Sequence, residues 1–397
     1  MKRDGPICWH KILVLNAGIV KFGKWWGNNR RPHFAGQNAV GVEWAVMSMR
    51  RANEDELARW DELIVANPDG GNALQSWAWG EFKSRWGWEP RRFVYELTDG
   101  RKVAAQWLVR KVPGQGEIWY CTKGPGVTRP VDYAEVVRLT REARLAGVFA
   151  RFESEVLDDD IPNKGKLAET GLVRANRDPG MKSTIFVDLR GGEEAVLASF
   201  SQTARRNIRK AVAAGVTVEP VEASDHNLRI MFELMKVTEA RAHYGLRPEA
   251  YFWDYWSEQV KAGQAQLFFA RHEGEVLAGL FATFLGKRAW YKDGGSFDHK
   301  REVLAPYLLQ WEVMRWLMAH GAESYDMIGV PNRNEVGTGH AKDGLYQFKS
   351  KFNSVITEFI GCWDLPLGGP ARYKLWRQLG ERVAAKLANR RPEKFLY

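Results

Sequence analysis

R-F-V-Y-E-L-T-D-G-R-K-V-A-A-Q-W-L, residues 92–108, and L-F-F-A-R-H-E-G-E-V-L-A-G-L-F-A, residues 267–282, read as one piece of structure written twice. Each is an apolar run, a tight turn at Gly100 or Gly274, and a returning apolar run, which is the pattern of a β-hairpin. A third strand follows in each copy, E-I-W-Y-C-T-K-G at 117–124 and R-A-W-Y-K-D-G-G at 288–295. Helical runs come next, at 132–146 and 305–320. Short strands close the copies, V-F-A-R-F-E at 148–153 and E-S-Y-D-M-I-G at 323–329. One matched hairpin is weak evidence, but helix, hairpin, strand, helix and strand recurring in that order predict two α+β domains of one ancestral type.

That order is the pattern of the acyl-CoA N-acyltransferase-like, or GNAT-like, fold. Most such proteins hold coenzyme A with a Q/R-x-x-G-x-G/A loop, whose amides cradle a pyrophosphate at a helix N-terminus. Neither copy has that loop. The nearest match, R-L-A-G-V-F at 144–149, lacks the last small residue, and in K-G-P-G-V at 123–127 Pro125 removes a backbone donor. The expectation is an acyl-transfer cleft that takes no acetyl-CoA and uses another acyl donor.

The chain's 397 residues suit two domains, each with its own core. Apolar residues are 45% and charged residues 27%, as in ordinary globular proteins. The net charge of +10 is uneven: residues 1–50 hold eight lysines and arginines against two acids, leaving 50 against 46 elsewhere. A polyanion site must therefore be local, and bulk DNA binding is not expected. Cys8, Cys121 and Cys362 are far apart and form no zinc pattern, so no metal is expected. No apolar run reaches the ~20 residues of a spanning helix, and the first residues do not read as a signal peptide, so a cytoplasmic protein is expected. Residues 1–48 show no regular period and are expected to form a poorly ordered basic extension. Asn53, followed by Glu54, Asp55 and Glu56, marks the first helix start.

Five dispersed motifs then stand in order: L-Q-S-W-A-W-G-E-F-K (74–83), W-Y-C-T-K-G-P (119–125), A-R-R-N-I-R-K-A-V-A-A-G-V (204–216), H-Y-G-L-R-P-E-A-Y-F (243–252), and G-L-Y-Q-F-K-S-K-F (344–352) with I-G-C-W-D-L-P after it. Together they resemble the FemABX peptidyltransferases from about residue 50 to the C-terminus. The resemblance implies two tandem GNAT-like domains, here drawn as 49–184 and 185–361, with a C-terminal helix at 362–397 completing the first. It implies transfer of an amino acid from aminoacyl-tRNA to an amine of a peptidoglycan stem peptide, on UDP-MurNAc-pentapeptide or lipid II. Some members carry a coiled-coil arm in the second domain. Only about thirty residues separate Gly215 from Gly245, so no arm is expected.

Candidate site residues follow. If Ser76 caps a helix, Trp79, Phe82, Lys83 and Trp86 share a face. An aromatic core stripe explains the tryptophans. An ammonium held among rings is poorly hydrated and ready for a phosphate oxygen, and the resemblance makes Lys83 a ligand of the precursor's diphosphate. Arg247 precedes Pro248, a predicted helix start, where an arginine fork suits phosphate. The resemblance pairs it with Lys83 and adds Tyr251, with Tyr291 as a further lining residue. It also places Lys349 and the adjacent Phe348 at the tRNA 3′ end, where a cation steadies charge developing on oxygen. Glu153 stands where the family often has an acid, as a substrate contact or a base, with an ion pair to Arg151 as the structural alternative. Arg205, Arg206, Arg209 and Lys210 form two adjacent stripes, read either as a solvated face or as a tRNA phosphate surface, with Ile208, Ala211 and Val212 facing elsewhere. The basic amphipathic run 373–391 packs on the first domain or lies against anionic lipid. No G-x-S-x-G elbow or histidine triad supports a hydrolase. A CoA-dependent acetyltransferase and a non-catalytic precursor- or RNA-binding module remain the alternatives.

Overall fold

The computed structural model describes residues 48–161, 164–242 and 246–382. The expected extension, apart from Ser48, and the last fifteen residues of the expected C-terminal helix lie outside them. In chain order the first half comprises β1 (Ser48–Arg51), α1 (Glu54–Ala58), α2 (Trp60–Val65), α3 (Trp77–Arg85), β2 (Glu89–Glu96), β3 (Lys102–Val112), β4 (Gly116–Cys121), α4 (Pro130–Glu142), β5 (Phe149–Phe152), α5 (Gly165–Glu169) and β6 (Val173–Arg174). After β7 (Ser183–Thr184), the second half runs β8 (Phe186–Asp188), α6 (Gly192–Ser199), α7 (Gln202–Ala213), β9 (Thr217–Val221), α8 (Asp225–Ala242), α9 (Glu249–Lys261), β10 (Ala265–His272), β11 (Glu275–Leu285), β12 (Arg288–Ser296), α10 (Ala305–Ala319), β13 (Ser324–Asp326) and α11 (Asp343–Lys349). The chain closes with β14 (Thr357–Glu358), β15 (Trp363–Pro366) and α12 (Pro370–Leu375), from which helical turns continue to Arg382.

The repeated hairpins are β2–β3 and β10–β11, and their turn glycines have φ of +83° and +81°, which a Cβ would oppose. Asn53 caps α1 in a reciprocal capping box with Glu56, an arrangement that contributes about 1 kcal/mol. The strands form a seven-stranded sheet, β1-β2-β3-β4-β5-β15-β6, and a six-stranded sheet, β8-β13-β12-β11-β10-β9. In each, the hairpin's second strand pairs antiparallel with the third strand, which pairs in parallel with the strand after the crossover helix. The fold is thus α+β with two tandem GNAT-like units. No coiled-coil arm occurs among the described residues.

Each sheet takes in one strand from beyond its own unit. β8, which follows the first unit in sequence, pairs antiparallel with β13 of the second sheet, and β15, which follows the second unit, pairs with β5 of the first. The two crossing segments meet as the ribbon β7–β14. Residues 362–397, expected as a helix, therefore open as a strand. The reason is a long-range contact: Trp363 and Leu365 are buried while Asp364 meets Arg151 in a bidentate ion pair of 2.7 and 2.8 Å. Tyr373 also donates to Asp364 at 2.7 Å. Breaking one partner of so buried a pair costs on the order of 3–5 kcal/mol.

The helices that precede the two hairpins, α3 and α9, pack against each other. Phe82 and Trp86 meet Tyr251 edge-on at 4.8 and 4.9 Å, and Trp79 meets Tyr255 at 5.8 Å. Each such pair contributes about 0.5–1.5 kcal/mol beyond the buried area. Arg288 at the start of β12 ties the halves again, donating to the carbonyls of Asp69 and Gly71 at 3.1 and 3.0 Å and to Glu155 at 2.7 Å. One apolar core consequently runs across both units, besides the cores under each sheet.

Candidate active site

Ser76 caps α3, its side chain accepting from the amide of Trp79, so the helix starts where the sequence predicts. Trp79, Phe82 and Lys83 face inward, Trp86 is half-buried and Trp77 lies outside. Lys83 is only 4% exposed. Its ammonium lies 5.3, 5.7 and 5.8 Å from the ring centres of Trp79, Trp88 and Tyr251, and it has no hydrogen bond or ion pair among the described residues. Burial drives its pKa well below that of an ordinary lysine, and the charges of Arg247 and Arg110 push the same way.

Pro248 precedes α9 as its N-cap, which puts Arg247 at the helix entrance with its guanidinium 4.7 Å from the Tyr251 ring. Lys83 and Arg247 therefore share the surroundings of Tyr251, although 164 positions separate them in sequence. Arg110, at the far end of β3, completes the group. It lies 4.5 Å from the Trp88 ring, donates to the carbonyl of Gly87 at 3.0 Å and also donates to that of Trp86. Burial pushes its pKa to about 10, with Arg247 adding to the shift. Arg110 is not among the residues expected from the sequence. Nothing in L-V-R-K marks it, because its role depends on Trp88 lying beside it in space.

A second buried lysine stands elsewhere. Lys349 ends α11, is 6% exposed, and donates to the carbonyls of Ile328 and of Gly329, the latter at 3.2 Å. Its ammonium lies 5.4 Å from the Tyr291 ring. Burial lowers its pKa to about 7, opposed by Asp326 and assisted by Lys342. Tyr291 thus lies with Lys349, not with the Lys83 group where it was expected, because β12 carries it to the edge facing β13 and α11. Phe348 packs against Tyr307 and Phe352 at 5.1 and 5.4 Å. Asp293, on the same strand, accepts from Trp256 Nε1 at 2.9 Å and pairs with Lys292 at 3.0 Å, a structural pin.

Glu153 follows β5 and is buried. It accepts a hydrogen bond from Tyr120 and pairs with Lys123 at 3.3 Å. The expected alternative partner, Arg151, is taken by Asp364, which stands directly opposite it where β5 pairs with β15. Lys123 also donates to the carbonyl of Met181 at 3.0 Å. Gly180 lies directly over Glu153: a Cβ there would fall 2.0 Å from its Oε1. Lys123 belongs to the W-Y-C-T-K-G-P motif, yet no role for it is legible there; its adjacency to Glu153 is a contact across β4 and β5.

On α7, Ala204, Asn207, Ile208 and Ala211 are buried, while Arg206, Arg209 and Lys210 are exposed and Arg205 donates to the carbonyl of Ala198 at 2.9 Å. Val212 is 58% exposed, so it does not join Ile208 and Ala211, with which the sequence groups it. It falls one position past the inward Ala211, about 100° around the helix. Among the described residues no cluster of side chains has metal-holding composition, and no helix is long and apolar enough to cross a membrane.

The model of the FemAB family matches residues 179–258 and 253–380, just over half of the chain. The chain belongs to the FemAB family. The FemAB match contains Arg247, Tyr251, Tyr291, Phe348 and Lys349 and stops short of Lys83 and Glu153. Over a longer span the chain is 23% identical to the lipid II:glycine glycyltransferase of Staphylococcus aureus (strain MRSA252), covering 81% of this chain and 94% of that protein. It is 24% identical to the lipid II:glycine glycyltransferase of Staphylococcus saprophyticus, with the same coverage. The crystal structure of FemX superposes with a TM-score of 0.72 at 22% identity, over 84% of this chain and 100% of FemX, which shows a shared fold.

Proposed function

We propose that this FemAB protein extends a peptidoglycan precursor by one amino acid taken from aminoacyl-tRNA. The protein is an aminoacyltransferase. Its acceptor is a stem-peptide amine on a diphosphate-linked precursor, lipid II rather than UDP-MurNAc-pentapeptide. The names of the staphylococcal relatives support the lipid-linked choice. The observation that carries the reading is Lys83, a desolvated lysine with no carboxylate partner among the described residues, whose pKa the charges of Arg247 and Arg110 push down. A diphosphate brings negative charge to a lysine that feels only like charges, and its oxygens accept from lysine and arginine donors alike.

In the transfer step the acceptor nitrogen bonds to the ester carbonyl carbon, the carbon–oxygen bond to the tRNA ribose breaks, and the amine proton ends on the released ribose hydroxyl. Lys349 supplies positive charge to the oxygen that becomes negative, and the approach of tRNA phosphate favours its charged form. Glu153, held by Tyr120 and Lys123, contacts the acceptor amine. Arg206, Arg209 and Lys210 track the acceptor arm without reading its sequence. No coenzyme A enters this reading. In support, the β4–α4 loop that would cradle a pyrophosphate lies against Asn67 and the Asp69 carboxylate, each within 2.7 Å of a Cβ built on Gly126.

The test is incubation with lipid II, UDP-MurNAc-pentapeptide and mixed charged tRNAs, followed by mass spectrometry of the acceptor. The expected result is one added residue mass on lipid II, identifying the amino acid. Gain only on the nucleotide-linked precursor would reverse the acceptor assignment. No transfer, combined with thermal stabilisation by acetyl-CoA, would replace it with a CoA-dependent acyltransferase.

A further inference from the structure

The C-terminal helical segment, α12 and the turns to Arg382, has one face that the catalytic reading does not use. Its inner face is fixed: Tyr373 and Trp376 pack on Phe149 at 6.0 and 5.5 Å. Its outer face carries Leu375 and Leu379, 54% and 57% exposed and one turn apart, which are large apolar residues left in water. Beside them opens a cavity of about 550 Å³ lined by Asn176, Arg177, Lys374, Arg377, Glu381 and Arg382. Four cations face one acid there. Arg377 is held by hydrogen bonds to Asn176 Oδ1, one of them 3.0 Å, and Glu381 accepts from Asn176 Nδ2 at 2.9 Å. The side chains of Arg177, Lys374 and Arg382 make no hydrogen bond or ion pair among the described residues.

We infer that this face docks on an anionic phospholipid bilayer, with Leu375 and Leu379 entering the acyl boundary and the cavity receiving lipid phosphate. Charge complementarity selects an anionic partner, since the lining is net positive and its cations are clustered. The two leucines select lipid over nucleic acid: a phosphate backbone gives exposed aliphatic groups nothing, whereas a bilayer removes them from water. The arrangement is that of an interfacial amphipathic helix, and it spans nothing. It goes beyond the transfer reading by giving the protein its own hold on the surface that carries a lipid-linked acceptor.

The test is vesicle co-sedimentation of the full chain, without substrate, on phosphatidylcholine alone and on phosphatidylcholine mixed with phosphatidylglycerol. Binding is expected to the mixed vesicles and to weaken with salt. Lys374→Glu and Arg382→Glu should each weaken it by at least about fivefold. Leu375→Ser with Leu379→Ser should weaken it on the order of tenfold, including at high salt where charge is screened. Circular dichroism and turnover of a water-soluble acceptor analogue should match wild type for these variants, separating docking from folding and chemistry. Equal binding to both vesicles, or none, overturns the inference. So does a leucine double variant that binds vesicles normally while the charge reversals weaken binding of uncharged tRNA, which would make the face an RNA surface. A shift from dimer to monomer in the leucine variant, with vesicle binding unchanged, would assign the face to a second copy and also overturn it. Vesicle binding by a chain that transfers no amino acid would leave this inference standing and remove the transfer reading alone.

Discussion

Two buried lysines, each beside aromatic rings, are built to opposite specifications. Lys349 is tied to two backbone carbonyls and feels the opposite charge of Asp326. Lys83 has three rings, no acceptor among the described residues, and two like charges nearby. The first is satisfied by the fold. The second is satisfied only when something negative arrives. A buried polar group that the protein leaves without its partner is a cost to folding that a ligand removes, so the difference separates a lysine that the fold satisfies from one that it leaves unsatisfied.

Replacing Lys349 gives the sharpest contrast. Lys349→Met is expected to lower kcat by about 10²–10³, as loss of a charge-stabilising group at a developing oxyanion does. It should also destabilise the protein by about 1–3 kcal/mol, since the carbonyls of Ile328 and Gly329 lose their donor. Denaturant titration and single-turnover kinetics measure both. Lys83→Met should instead weaken acceptor binding by about 10–100-fold, with little effect on single-turnover rate. Its stability should stay level or rise by up to ~1 kcal/mol, because a desolvated cation has been removed from an aromatic site. Equal stability losses in the two variants would erase the distinction.

Protonation sharpens it further. Between about pH 7 and the ordinary lysine range, unfolded chains bind the Lys349 proton and folded ones do not. The contribution of Lys349 to stability is therefore fullest at high pH and is lost as pH falls towards 7. The stability gap between wild type and Lys349→Met should widen from about pH 7 to about pH 9, by at most ~1.4 kcal/mol per pH unit. Burial drives the pKa of Lys83 well below that of an ordinary lysine, and a bound diphosphate favours its charged form, so diphosphate binding should be accompanied by proton uptake. Calorimetry in buffers of differing ionisation heat reads that uptake, and Lys83→Met should abolish it. An uptake that persists in the variant would assign the proton elsewhere.

The smallest effect is expected at α7. Reversing Arg206, Arg209 and Lys210 to Glu should leave acceptor affinity unchanged and lower tRNA affinity. The salt slope should become shallower by roughly 0.7–0.9 for every phosphate that the protein no longer neutralises. An unchanged slope would return α7 to a plain solvated face.

The hairpins, the starts of α1, α3 and α9, and the duplicated order were legible because they rest on local chemistry: turn glycines, cap residues and alternating apolar runs. Lys83, Arg247 and Lys349 were nameable because motifs carry them. Three things were not legible. The strand exchange of β8 and β15 was hidden, since three or four paired residues give almost no periodicity. Arg110 and Lys123 went unmarked because each gains its meaning from a neighbour brought by another strand. Tyr291 was misplaced because one strand passes both sites and the sequence does not say which it faces.

The sequence by itself determined that a half-structure had been duplicated, that each copy would fold as hairpin, strand, helix and strand, and which helices would carry lysine and arginine among aromatic residues. Those are matters of period, cap and composition within a few turns of chain. The tertiary structure decided that the equivalent helices α3 and α9 meet face to face, so that Lys83 and Arg247 fall beside one tyrosine and Lys349 falls elsewhere. That outcome comes from burying the apolar faces of two amphipathic helices against each other, a long-range packing choice that no local pattern encodes.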